Sequence, residues 1–150
     1  MAGKTTHPKT QVIIIGAGPS GLSMAVALLR YKIDFIIIEK NIKTTHLSKA
    51  IAVQARTLEI FREVGLDERA VSEGRITTAF NVFYRGKQKA AVNIAGLGKS
   101  LSHFPYALSL EQSKTEKLLV DYLRERGKEV LWKSEFLHYQ QNEDGVLVHY

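Results

Sequence analysis

Gly16-Ala17-Gly18-Pro19-Ser20-Gly21 is the segment whose residue types and spacing suit chemistry, and that chemistry is the binding of a nucleotide's phosphates. A Gly-x-Gly-x-x-Gly turn alone is weak evidence in a chain of 150 residues with 11 glycines. Its surroundings make it specific. Residues 11–15 (QVIII) form a nearly continuous β-branched run, the pattern of a strand buried on both faces. Residues 22–29 are apolar except Ser23, which predicts a helix packed on a sheet. A second buried strand over residues 35–38 ends on Glu39, roughly 20 residues beyond the turn, where a dinucleotide-binding fold places an acidic side chain.

Each of these residues has a mechanical role. Gly16 permits the tight turn, Gly18 lets backbone approach a pyrophosphate, and Gly21 lets the helix lie close on the strand. The helix N-terminus then offers N–H groups and the positive end of its dipole to the phosphates. Glu39 accepts hydrogen bonds from the hydroxyls of an adenosine ribose. A carboxylate there disfavours a 2′-phosphate, so FAD or NAD is expected rather than NADP, and the choice between those two stays open at this level. Ser20 reads as a helix-start residue, not a nucleophile.

The elements that must position this turn form a strand–turn–helix–strand unit, with Arg30 and Lys32 near the helix end where cations suit its dipole. A loop over residues 41–47 leads to an expected helix from about Ala50 to Val64, with Ser48 as its N-cap and Gly65 after its end. A short helix over residues 66–73 is closed by Gly74. Phe80, Val82 and Tyr84 then alternate with other residues, Arg85-Gly86-Lys87 makes a turn, and residues 90–94 read as the returning strand. Gly96, Gly98 and Pro105 mark an irregular connection. Ser113-Lys114-Thr115-Glu116 matches a capping box opening a helix that carries Leu118, Leu119, Tyr122 and Leu123 on one face and stops at Gly127. Residues 129–132 are a third short strand of the same sheet. Residues 136–140 and 146–150 form a hairpin around Asn142-Glu143-Asp144-Gly145.

Composition excludes several classes. With 45% hydrophobic and 24% charged residues the bulk of the chain is globular rather than disordered. No apolar run approaches the roughly 20 residues of a membrane span. Residues 1–9 are polar, read as a flexible tail and carry no secretory signal. Without cysteine there is no disulfide, thiolate metal site or cysteine nucleophile, and the cytoplasm is the expected compartment. The net charge of +6 is scattered, so no nucleic-acid partner is indicated and an anionic small ligand fits equally well. The five histidines show no pair at metal-ligand spacing.

A resemblance narrows the cofactor. Gly16-Ala17-Gly18-Pro19-Ser20-Gly21-Leu22 with Ala25, residues 47–61 (LSKAIAVQARTLEIF), and Leu110-Glu111-Gln112 followed by Glu116 and Leu119 together resemble the FAD-dependent aromatic-ring hydroxylases. These are single-component flavoprotein monooxygenases similar to p-hydroxybenzoate and phenol hydroxylases, and the likeness runs from about Thr10 to Tyr150. It implies FAD as cofactor, NADPH or NADH as reductant, O₂ as oxidant, and a small aromatic substrate that receives one oxygen atom. It further implies Gly16, Gly18 and Gly21 at the FAD pyrophosphate, Glu39 at the adenosine ribose, Lys49 near the phosphates, and Gln112 at the ribityl and phosphate region. Lys49 departs from the family's usual arginine and lacks its bidentate fork. Arg56 lies in the same block and is a candidate for direct contact with the cofactor, but its helix more simply presents it to solvent or to a carboxylate. Phe80, Phe83 and Tyr84 are candidates for an aromatic pocket wall, but their alternation more simply predicts one buried sheet face. No catalytic acid or base is visible.

The expected fold class is therefore α/β, a Rossmann-like FAD-binding βαβ domain with inserted antiparallel strands, an incomplete N-terminal portion of a larger fold. Residues 10–150 would form the first part of that domain, including the start of the substrate-side strands. The other flank of the first strand lacks a partner, so the remainder of a longer polypeptide or a second chain is expected to complete the sheet, with weak FAD retention by this segment alone. The rivals are another FAD-dependent oxidoreductase (an epoxidase, halogenase or amine oxidase), an NAD-dependent dehydrogenase, and a non-catalytic dinucleotide-binding protein.

Overall fold

The computed structural model describes residues 9–44, 52–96 and 98–150. The elements in chain order are β1 (Val12–Ile15), α1 (Pro19–Arg30), β2 (Phe35–Glu39), β3 (Ala52–Val53), α2 (Ala55–Glu63), α3 (Asp67–Glu73), β4 (Arg75–Thr77), β5 (Ala79–Tyr84), β6 (Lys87–Asn93), β7 (Ala107–Ser109), α4 (Gln112–Arg124), β8 (Val130–Trp132), β9 (His138–Asn142) and β10 (Gly145–His149). They fall into two units, residues 1–44 with 119–150, and residues 45–118. The expected tail lies almost wholly outside the described residues.

The first unit is built on a parallel sheet of order β1-β2-β8, in which Val12 to Ile15 pair with Phe35 to Ile38 and Ile37 to Glu39 pair with Val130 to Trp132. Parallel neighbours need a crossover, and α1 supplies the one between β1 and β2. It packs on both strands through Leu22, Ala25 and Val26, all buried. Phe35, Ile37 and Ile38 make β2 the core strand. β1 is less enclosed than its sequence predicts: Ile14 is buried but Ile15 is 55% exposed. The reason is position, since β1 has only β2 beside it among the described residues. Gly127, with φ of +74°, ends the turn after α4, where Lys128 N–H donates to the Leu123 carbonyl. The Lys128 ammonium lies 2.7 Å from the Asp34 carboxylate, tying the entry of β8 to that of β2. β9 and β10 form the expected hairpin, set two residues later than the pattern suggests on the first strand and one earlier on the second.

The second unit differs more from expectation. The helix expected from Ala50 begins at Ala55, with Gln54 rather than Ser48 as its N-cap. Ala52 and Val53 instead pair with Ser109 and Leu108, and Arg75 to Thr77 pair along the other edge of the same strand, giving an antiparallel sheet of order β3-β7-β4. Leu108 is fully buried at its centre. α2 buries Leu58 and Phe61, and α3 buries Ala70. The β5–β6 hairpin turns through Arg85 and Gly86, both at positive φ, the geometry of a two-residue type I′ turn. Its expected buried face is absent among the described residues: Phe80 is 49% and Tyr84 59% exposed. Among the described residues these two strands pair only with each other, and a register shift between Val82 and Phe83 breaks the alternation that predicted a single face.

The capping box is also not formed. α4 starts at Gln112, one residue before the expected cap, because the Glu111 carbonyl accepts from the N–H groups of Lys114 and Thr115. Ser113 is thus inside the first turn, and the Glu116 side chain bonds Gln112 instead.

Candidate cofactor site

Gly16 leaves β1 with φ of +101°, a left-handed conformation that favours glycine, and its N–H donates to the Ile38 carbonyl at 2.8 Å. That bond continues the β1–β2 pairing by one residue. The chain then turns into α1, whose N-cap is Gly18 and whose first residue is Pro19. Proline suits this position because its missing N–H would have had no intrahelical acceptor. No side chain caps the helix, and its first turn carries no acidic residue, so nothing within the turn neutralises the dipole's positive end.

The glycines divide by cause. A methyl group at Gly21 would lie 2.0 Å from the Gly16 carbonyl oxygen, so the approach of α1 to the end of β1 itself requires glycine there. Gly16 is required by its φ. Gly18 is required by neither: its backbone is ordinary, with φ −75° and ψ −179°, and a Cβ there would meet no atom within 4 Å. The space over the Gly18 backbone is open, and a glycine turn at a helix N-terminus suits a pyrophosphate, so the residues present fit that group.

Glu39 ends β2 beside this turn. Its Oε2 accepts from the Ala17 N–H at 2.8 Å, and its Oε1 accepts from the Asn41 N–H at 2.9 Å and from the Asn41 side-chain amide. Burial raises its pKa, but the N–H groups of Asn41 and Ala17, the Asn41 amide and the nearby Lys40 charge outweigh it and hold the carboxyl below its ordinary range. Of the roughly four acceptor positions on a carboxylate, three are used, leaving one on Oε2 for a hydroxyl donor. Glu39 therefore clamps the glycine turn and retains capacity for a ribose. Ser134 N–H donates to the Glu39 carbonyl at 3.0 Å, which fixes the segment after β8 over the same strand ends. A cavity of about 260 Å³ lies here, lined by Gly16, Glu39, Lys40, Ser134 and Phe136 among others, outside the carboxyl ends of the parallel strands where such sheets bind ligands.

Thus Gly16, Gly18, Gly21 and Glu39 come together in the first unit. Gln112 belongs to the second, at the start of α4, where its Nε2 donates to the Glu116 Oε1 at 2.8 Å. Lys49 lies outside the described residues. Arg56 pairs with the Glu59 carboxylate at 3.0 Å on the surface of α2, the carboxylate alternative of its expected placement. Ser102 donates to the other oxygen of Glu59 at 2.7 Å, anchoring the connection before β7. His138 and His149 stack across the β9–β10 hairpin at 4.2 Å, and the described residues hold no cluster of three metal-ligating side chains. No helix among them is long and apolar enough to cross a membrane. Sequence reasoning missed Ala17 and Asn41 as the partners of Glu39. The only available signal was a short amide side chain two residues after the strand's acidic end.

A parallel strand, glycine turn, helix and second strand ending in an ionised glutamate define a dinucleotide-binding α/β unit of Rossmann type. The chain belongs to the FAD binding domain family, which it matches over residues 9–150. It is 37% identical over 139 residues to an uncharacterized aromatic compound monooxygenase, YhjG, of Bacillus subtilis (strain 168), covering 92% of this chain and 26% of that protein. It is 34% identical over 122 residues to 6-methylpretetramide 4-monooxygenase of Streptomyces rimosus, covering 81% of this chain and 22% of that one. Among solved structures, the flavin-dependent monooxygenase PieE in complex with FAD and substrate superposes with a TM-score of 0.83 at 26% identity, over 96% of this chain and 27% of that one. The chain thus spans about a quarter of the length of these relatives.

Proposed function

We propose that this chain is the FAD-holding portion of a flavin monooxygenase that hydroxylates a phenolic or other aromatic small molecule. The reaction would consume NADPH or NADH, a proton and O₂, place one oxygen atom on the ring, and release the other as water. Bound FAD would supply the redox chemistry, passing the electrons of the nicotinamide to O₂. The chain's own residues bind and orient. The backbone at Gly16, Gly18 and Gly21 faces the pyrophosphate, and the α1 N-terminus offsets its charge. Glu39 holds a ribose hydroxyl of the adenosine through its remaining acceptor position. Lys49 contributes a cation to the phosphates, and Gln112 meets the ribityl and phosphate stretch. No acid or base is assigned, because oxygen transfer of this type rests on the cofactor and on a site that excludes water. The absence of cysteine fits a cytoplasmic setting.

The observation that carries the reading is the Gly18 cradle beside an ionised Glu39. Its family membership and the monooxygenase relatives support the choice of FAD and of oxygenation. The test starts with the purified chain, titrated with FAD and followed by flavin absorbance and fluorescence. Weak but saturable one-to-one binding of added FAD is expected; a protein that binds no FAD even at saturating concentrations overturns the proposal. In the polypeptide that carries this segment, oxidation of NADPH or NADH should rise on adding a phenolic substrate. Binding of FAD with no response to any aromatic would favour another class of flavoenzyme.

A further inference from the structure

Glu116 is the one charged residue fully buried among the described residues, 2% exposed on α4. An ionised carboxylate is costly to bury unless it is bonded, and one of its bonds is the 2.8 Å contact from Gln112 Nε2, one helical turn earlier. A glutamine amide has two ends of nearly the same shape, one donating and one accepting. A carboxylate only accepts, so Glu116 selects the NH₂ end of Gln112. We infer that Glu116 is a positioning residue. It locks the Gln112 amide in one orientation, so that Oε1 and the second N–H are presented as a fixed acceptor–donor pair to the hydroxyls and phosphate of the flavin's ribityl–phosphate chain. This rests on the reading of Gln112 as an FAD contact. The pairing accounts for a buried acid at a position where a surface helix would ordinarily carry an apolar residue, and where the expected capping box is not formed.

Two measurements separate this from a merely structural staple. In ¹⁵N-labelled protein without FAD, the Gln112 side-chain amide should show two well-separated, slowly exchanging proton resonances. Glu116→Ala should collapse them toward the values of a free amide; unchanged resonances overturn the lock. In FAD titrations Glu116→Ala should weaken binding about tenfold, the loss expected when an ordered hydrogen-bonding group becomes mobile. Glu116→Gln keeps the volume and an acceptor oxygen, so it should recover most of that loss; Glu116→Met, of similar volume but with no acceptor oxygen, stands in if the alanine variant does not fold and should show the same tenfold loss. In a Gln112→Ala background, Glu116→Ala should have no further effect. A full tenfold loss in that background shows that Glu116 acts through the helix and overturns the inference. If Gln112→Ala weakens FAD binding while Glu116→Ala does not, only the positioning role fails. If Gln112→Ala binds FAD as the wild type does, the cofactor role of Gln112 fails, and this inference fails with it.

Discussion

Gly18 and Gly21 sit three residues apart in one turn, and the structure predicts that their substitutions act in opposite ways. In Gly21→Ala the new methyl would lie 2.0 Å from the Gly16 carbonyl oxygen, 3.1 Å from its carbon and 3.3 Å from Ile14 Cγ2. The obstacle is backbone, so relief requires lifting the start of α1 off β1. Overpacking of this kind costs about 1–3 kcal/mol, and a clash with backbone belongs at the upper end. For a chain of 150 residues each kcal/mol shifts Tm by about 2–4 °C, so a fall of roughly 6–12 °C is expected without any FAD present. Gly18→Ser meets no atom within 4 Å and keeps an ordinary backbone. Serine is also the better N-cap by a few tenths of a kcal/mol, so the fold is unchanged or slightly more stable. Yet its side chain would enter the space proposed for the pyrophosphate, and FAD affinity should then drop at least tenfold. Thermal unfolding by circular dichroism without FAD, paired with FAD titration by flavin fluorescence, reads both effects. A Gly18→Ser protein that binds FAD as tightly as wild type would refute the placement of the cofactor. A Gly21→Ala protein that melts with wild type would refute the helix-on-strand account.

Glu39→Gln keeps one acceptor oxygen and turns the other into a donor, so it can no longer accept from both Ala17, on Oε2, and Asn41, on Oε1, and it should destabilise the glycine turn at neutral pH. Because the folded carboxyl titrates below its unfolded value of about 4.3, its stabilisation is complete above that pH and is lost as pH falls through the folded value. The stability gap between wild type and Glu39→Gln, measured by urea unfolding, should therefore shrink toward zero in acid; a constant gap would contradict the clamp. In the second unit, a methyl at Gly74 would lie 2.8 Å from the Leu108 side chain. Leu108→Ala should cost about 2–5 kcal/mol and Gly74→Ala about 1–3 kcal/mol, but the double variant should cost less than their sum because one methyl occupies space the other change vacates. Simple additivity in urea unfolding would show that the two do not share that space.

What was legible in the sequence is what local chemistry dictates. The apolar run to Ile15, the glycines at 16 and 21, Pro19 at the helix start and Glu39 at the end of β2 each act through near neighbours or through one short crossover, so their pattern implied strand, turn, helix and strand together. The Arg85-Gly86 turn marked its hairpin for the same reason. The sheet β3-β7-β4 was not legible. Ala52–Val53, Arg75–Thr77 and Ala107–Ser109 are only two or three residues long and exist because distant strands pair with them. That pairing displaced the start of α2 from Ala50 to Ala55, against local helical preference. The alternation at Phe80, Val82 and Tyr84 correctly signalled a strand but not its exposure, which depends on what lies across its face. Nor could spacing reveal that Glu39 binds the Ala17 N–H, or that Glu116 turns from the Ser113 cap to the Gln112 amide. Residue types thus determined that a glycine turn stands between a strand and a helix. The tertiary structure decided which glycines the fold itself requires and which groups Glu39 and Glu116 bond, because burial and hydrogen-bond partnership depend on groups brought together only when the chain folds.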